Sequence, residues 1–154
     1  MCGIYGASTL PNQAADEIKL RWLAVENKSR GKDSTGIYTV KLDKNRSETL
    51  YKDAIPSDVF IKKMDFKQAV KGACEIIGHT RQATVGMVNK DNSHPFTYSI
   101  PEKVVGVHNG FVIQEVARDK FVGKDKEFEK DFEVDSQYIF AMLSKRGGDY
   151  KVLT

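Results

Sequence analysis

Residues 2–8, Cys-Gly-Ile-Tyr-Gly-Ala-Ser, form a short run of small and β-prone residues that predicts a buried strand at the start of the chain. Pro11 then opens a predicted helix in which Ala14, Ile18, Trp22 and Val25 recur at spacings of four, four and three, the apolar stripe of a helix laid on a sheet. Arg30-Gly31 ends it. Two β-rich segments, 34–42 and 47–52, flank Asp43-Lys44-Asn45-Arg46, which has the composition of a hairpin turn. A second helical stretch is expected from Pro56 to Lys71, with Val59, Ile61, Met64, Phe66, Ala69 and Val70 as its apolar share.

The chain returns to strand over 73–80 and ends that strand at Arg81, and a polar loop runs through His94-Pro95. Strand 103–108 delivers Asn109-Gly110 to a turn, and Phe111 to Phe121 reads as a short helix. Lys124 to Glu133 alternates charge as a solvated surface segment does, with Phe128 and Phe132 anchoring it at an i, i+4 spacing. Asp135 is the expected N-cap of a helix through Lys145, stopped by Gly147-Gly148. Strands with hairpin-like neighbours, interrupted by helices, indicate an α+β fold rather than a doubly wound parallel one.

At 154 residues the chain is expected to be one domain, residues 1–154, able to bury its own core. Lys+Arg 24 against Asp+Glu 21 gives a net charge of +3 with the charges interspersed, so no basic stripe tracks a phosphate backbone and nucleic acid is not an expected partner. No basic and apolar leader opens the chain, and no apolar run approaches the roughly 18 residues of a membrane span, so no membrane partner is expected either. Two cysteines without a C-x-x-C suggest neither a disulfide framework nor a zinc cluster and fit a reducing, cytoplasmic setting. His79, His94 and His108 lack the close spacing of zinc motifs, so neither a metal nor another cofactor is expected.

Cys2 changes this picture. Removal of Met1 would leave an N-terminal cysteine holding a nucleophile and a general base on one residue, because a free α-amine has a pKa of about 7.7–8.0 and can relay the thiol proton near neutral pH. On position alone the commoner reading is a small hydrophobe that opens a core strand. The stretches Arg30-Gly31-Lys32-Asp33-Ser34-Thr35-Gly36, Gly78-His79-Thr80-Arg81-Gln82-Ala83-Thr84-Val85-Gly86, Asn92-Ser93-His94-Pro95 and Val107-His108-Asn109-Gly110, followed by Asp135-Ser136, shift the balance. In that order, after an N-terminal cysteine, they resemble the glutaminase domain of class II glutamine amidotransferases, which are N-terminal-nucleophile hydrolases. The likeness runs from Cys2 to Leu143.

The resemblance implies an αββα sandwich, two mostly antiparallel sheets face to face between helical layers. It further implies hydrolysis of the glutamine side-chain amide to glutamate and ammonia through a thioester on Cys2. Asn109 and Gly110 match the oxyanion hole, although Asn-Gly is also an ordinary tight turn. Arg81 matches the clamp for the glutamine α-carboxylate and Asp135 the receiver of its α-ammonium, with Thr84 and Gly86 in a loop that closes over the substrate. Arg30 and His94 match positions that brace the nucleophile's surroundings, whereas His79 and His108 are expected to be satisfied structural histidines and Cys74 to be core. The implied partner is glutamine, and the chain is expected to be either a stand-alone glutaminase or the ammonia-producing part of an assembly in which a separate synthase subunit accepts the ammonia.

The sugar-phosphate amidotransferases of this family carry a tryptophan after the matching arginine and a histidine three residues further on, where this chain has Gln82 and Val85. Loop closure and its coupling to an acceptor are therefore expected to differ. Glutaminase domains of the family also continue through further strands after the helix that begins at the aspartate, so a C-terminally shortened sandwich is expected. Two other readings keep part of the pattern: an amidohydrolase acting on another γ-glutamyl or small amide, and a catalytically idle glutamine-binding module.

Overall fold

Alternation along four strands creates two differently covered faces, and the architecture follows from what covers each. The structure, a computed structural model, describes residues 1–10, 13–99, 101–113 and 132–147. Strands β1 (Gly3–Ser8), β2 (Ser34–Lys41), β3 (Ser47–Asp53) and β4 (Glu75–Arg81) form an antiparallel sheet in the order β1-β4-β2-β3. Ala7, Ile37, Tyr51 and Ile76 point to one face, where Leu20 of α1 (Glu17–Glu26), Phe60 of α2 (Ser57–Phe60) and Phe66, Ala69 and Val70 of α3 (Met64–Val70) complete the main core. Thr39 faces the same way and donates its hydroxyl to Ala69 O at 3.0 Å, so a buried polar group there is satisfied.

The opposite face meets a second antiparallel sheet, β5 (Phe96–Tyr98) paired with β6 (Val104–Gly106). Lys52 of β3 donates to Ser93 O at 2.8 Å and lies over the Phe96 ring, while Lys103 pairs with Glu48 and lies over the Tyr38 ring. Beyond this sheet, α4 (Asp135–Lys145) packs Phe140 with Val134, Phe96, Tyr98 and Val104 into a second core. Helices, sheet, sheet and helix thus stack in the layer order expected of the αββα sandwich, with two antiparallel sheets at its centre.

Helix α1 departs from its predicted stripe. It starts at Glu17, capped by the Asp16 carboxylate accepting from Ile18 N at 2.9 Å and Lys19 N at 3.1 Å, and it buries Leu20 and Ala24. Ile18 and Trp22 are 72% and 73% exposed. Two apolar stripes share this helix; the one carrying Leu20 and Ala24 is turned onto the sheet, and Arg21 beside it donates to Ile61 O at 2.7 Å and lies over the Phe66 ring.

The helix expected over 56–71 is two helices joined by a turn at 61–63. Six residues of continuous α-helix would rotate Phe66 about 120° away from Phe60. The turn lets both rings enter one core, where they meet edge to face at 5.7 Å.

The last helix is shifted by one residue: Val134 occupies the cap position and Asp135 is the first helical residue. The cap N–H is taken by Gln137 Oε1 at 3.2 Å, which leaves the Asp135 carboxylate available elsewhere. Residues 111–113 carry no regular element, and the rest of the helix expected through Phe121, like Phe128, lies outside the described residues.

At Gly36 of β2 the segment that leads into β5 lies directly against the first sheet. A methyl group there would fall 2.0 Å from His94 O. Gly36→Ala is expected to destabilise the fold by about 3 kcal/mol, read as a lowered urea midpoint; a midpoint equal to that of the unsubstituted protein would mean that the sheets are not so closely packed.

Candidate active site

Pairing of Gly3 with Thr80 sets the first residues of the chain beside the end of β4. Gly3 is required by this approach, since a Cβ would fall 2.5 Å from both Asn27 Oδ1 and Thr80 Oγ1. Cys2, half-buried, therefore lies against Gln82: its thiol donates to Gln82 O at 3.6 Å and its sulfur accepts from Gln82 N at 3.4 Å. Cys2 N donates to Asn109 Oδ1 at 3.1 Å, and Arg30 Nε donates to Cys2 O at 3.1 Å. The geometry brings Cys2, Asn109 and Arg30 together. Because a backbone N–H can only donate, the Asn109 oxygen must face Cys2, and its Nδ2 is the group left to bind something else.

Arg81 is buried at the end of β4, and its own loop wraps it. Nη1 donates to Met87 O at 3.0 Å and Nη2 to Val85 O, which among the described residues leaves three of the five guanidinium N–H donors without a protein acceptor. Burial lowers its pKa from the usual arginine value, opposed by Cys2, Asp33, Asp135 and Glu133, which all lie within its field. Gly86 closes the loop with φ +77°, and a Cβ there would fall 2.9 Å from Glu133 O. Only glycine fits that left-handed approach. Thr84 is exposed on the same loop.

Asp135 is buried and accepts from Val112 N at 2.7 Å and Ser136 N at 2.8 Å. Among the described residues it makes no ion pair with Arg81, so each keeps unspent capacity although they share one electrostatic neighbourhood. Gly110 is exposed beside Asn109, and a Cβ on it would lie 2.5 Å from His108 Nε2.

The histidines form a polar thread between the layers. Ser136 Oγ meets Asp135 Oδ1 at 3.3 Å and His108 Nδ1 at 2.9 Å, and His79 Nε2 donates to His108 O at 3.1 Å. His94 stacks on His79 with ring centroids 4.2 Å apart, and both its ring nitrogens are buried without a partner. His94 therefore sits in the interior between the sheets, where its recorded ring contacts are with His79, Phe96 and Phe140. Burial pushes His79 down to about 4 and His94 further below the ordinary histidine value, so both are neutral at pH 7. His79 holds the peptide just before Asn109, and this links the two sheets at the point where the carboxamide emerges.

The sequence points to no role for Asp33, and to Gln82 only as a departure bearing on loop closure. Asp33 Oδ2 accepts from Ala83 N at 2.7 Å and from Gln82 Nε2 at 3.1 Å, and Asp33 N donates to Arg81 O at 3.0 Å. The only available signal was position: Asp33 lies in the glycine-containing stretch after Arg30, and Gln82 directly follows Arg81.

Comparison with known proteins matches residues 18–146 to the family described as Glutamine amidotransferases class-II. Among individual relatives, a glutamine–fructose-6-phosphate aminotransferase (isomerizing) of Methanococcus maripaludis is 32% identical over 159 residues, covering 100% of this chain and 24% of the relative. The protein of the same description from Pyrococcus horikoshii is 38% identical over 121 residues, 77% of this chain and 19% of its own length. That from Methanosarcina mazei is 31% identical over 147 residues, 94% and 22%. The chain thus spans about a quarter or less of the length of these curated relatives.

The buried histidines set a pH dependence. With a folded pKa near 4 against 6.5 when exposed, His79 binds more protons in the unfolded state between those values, so its stabilising contribution is complete above 6.5 and is lost as pH falls towards 4. The loss amounts to about 3 kcal/mol. Urea titrations at pH 7 and 4.5 are expected to show it, with His79→Gln reducing the pH dependence and the part due to His94 remaining; an equal dependence in the variant would contradict the assignment.

Proposed function

This chain belongs to the class II glutamine amidotransferases, and from that premise we propose that it hydrolyses the side-chain amide of glutamine to glutamate and ammonia through a thioester on Cys2. The observation that carries the proposal is the contact of Cys2 N with Asn109 Oδ1 at 3.1 Å, which joins the would-be base to the would-be oxyanion donor through one carboxamide.

Met1 is 83% exposed, so its removal disturbs no packing. The amine uncovered on Cys2 keeps an N–H for Asn109 Oδ1 and gains a lone pair that takes the thiol proton. The sulfur attacks the side-chain carbonyl carbon of glutamine, the C–N bond breaks, and the ammonium on Cys2 returns its proton to the departing ammonia. Water, deprotonated by the same amine, then cleaves the thioester and releases glutamate. Asn109 Nδ2 and Gly110 N–H are the donors for the oxyanion in both steps.

Arg81, with three guanidinium donors unspent among the described residues, takes the α-carboxylate, and Asp135, with lone-pair capacity beyond that used by Val112 N, Ser136 N and Ser136 Oγ, takes the α-ammonium. The 84–86 loop, folded against Glu133, covers the bound amino acid, with Thr84 on its exposed side. Arg30, bonded to Cys2 O, and His94, stacked behind His79, brace the surroundings of the nucleophile. We place residues 1–154 in one glutaminase unit, with ammonia passing to an acceptor outside them. The two free thiols suit a reducing compartment such as the cytoplasm.

Ammonia release from glutamine by protein lacking Met1 is the test. Asn109→Ala is expected to lower kcat by about 10²–10³-fold. Arg81→Lys is expected to raise KM for glutamine much more than it changes kcat, because an ammonium cannot reproduce the paired contact. Turnover by protein that retains Met1, or an Asn109→Ala rate within a few-fold of the unsubstituted enzyme, would refute the mechanism.

A further inference from the structure

Gln82 occupies an unusual place next to the nucleophile. The Cys2 sulfur lies between the two peptide groups that flank the Gln82 Cα, accepting from Gln82 N and donating to Gln82 O. These contacts act in opposite senses, because a donated N–H stabilises the thiolate whereas an accepting carbonyl stabilises the protonated thiol. The balance between them depends on how the backbone at residue 82 is rotated.

Asp33 controls that rotation from the far side. Its carboxylate accepts from Ala83 N, the opposite end of the same peptide whose carbonyl meets the thiol, and from the Gln82 side-chain amide, while its own N–H binds Arg81 O. A carboxylate only accepts, so the Gln82 Nε2 must be the end that faces it. Three contacts from one residue thus hold the 81–83 backbone, and the side chain at 82 supplies one of them.

Resting on the catalytic reading above, we propose that Gln82 is a positioning residue, its side-chain amide latched to Asp33 so that the flanking peptide groups hold the Cys2 sulfur in its reactive setting. Gln82 also lines a cleft of about 560 Å³ with Val25, Glu26, Lys28, Ser29 and Lys32. Side chains of similar length therefore fit at position 82 without overpacking, and substitutions there read the latch rather than a clash.

The experiment compares Gln82→Glu, Gln82→Met and the exchanged pair Asp33→Asn with Gln82→Glu, all lacking Met1. Gln82→Glu sets two carboxylates against each other and is expected to lower kcat by roughly ten- to a hundredfold with KM for glutamine nearly unchanged. The pH midpoint for alkylation of Cys2 by iodoacetamide is expected to move upward with it. Gln82→Met, which only removes the contact, is expected to show a smaller change in the same direction. The exchanged pair restores an amide-to-carboxylate hydrogen bond and is expected to recover much of both. Thermal melts confirm that each variant is folded, and Gln82→Met carries the test if Gln82→Glu is not.

Unchanged kcat and an unchanged alkylation profile in Gln82→Met and Gln82→Glu would overturn the latch. Alkylation is read without glutamine, so the two proposals fail separately. An unsubstituted protein that releases no ammonia yet shows the shifted alkylation profile in the variants would sink the catalytic reading and keep the latch.

Discussion

The register of β1 on β4 is the constraint on which the rest depends. Gly3 opposite Thr80 brings the second residue of the chain to a residue 80 positions away, and nothing local in the sequence could do so. Strand side chains alternate, so a slip by one residue would turn Cys2 from the face that carries His79 and Arg81 to the face covered by helices. Two glycines permit the close approaches at the end of β4. Gly3 leaves room for Asn27 and Thr80, and Gly31 lets the chain after α1 come within 2.5 Å, measured from an added Cβ, of the Arg81 carbonyl carbon.

Around that junction the charges are arranged by burial. Two neutral histidines fill the interior behind the site, and Arg81 lies amid Cys2, Asp33, Asp135 and Glu133. Glu133 is itself held below the usual carboxylate range by Asn92 Nδ2 and Met87 N, which fixes one wall of the Arg81 loop. The thread from Asp135 through Ser136 and His108 to His79 joins α4 to the first sheet, so the start of that helix and the emergence of Asn109 are mechanically one unit. A polar path through a sheet interface is costly unless its members find partners, and along this thread they do.

Much of this was legible before any coordinates. The hairpin around Asp43 and the strand ending at Arg81 were visible as alternation and turn composition, whereas the roles of the residues around Cys2 came only from the family resemblance. The facing of α1 was not, because Ile18/Trp22 and Leu20/Ala24 are both helical stripes and only tertiary contacts, the core around Leu20 and the reach of Arg21 to Ile61 O, separate them. The break between α2 and α3 was hidden for a similar reason: apolar residues at 59–70 fit a continuous helix until two phenylalanines must share one core. Asp33 and Gln82 escaped because their importance lies in backbone hydrogen bonds, which residue types do not advertise.

The central claim is that Cys2, once freed of Met1, is the nucleophile of a site that reads the amino-acid end of glutamine. Incubation with a glutamine analogue bearing an electrophilic ketone in place of the amide, followed by peptide mass mapping, tests it most directly. A single adduct is expected on Cys2 of chains lacking Met1, suppressed by excess glutamine. Labelling of Cys74, or labelling of Cys2 that is equal with and without Met1 and indifferent to glutamine, would contradict it.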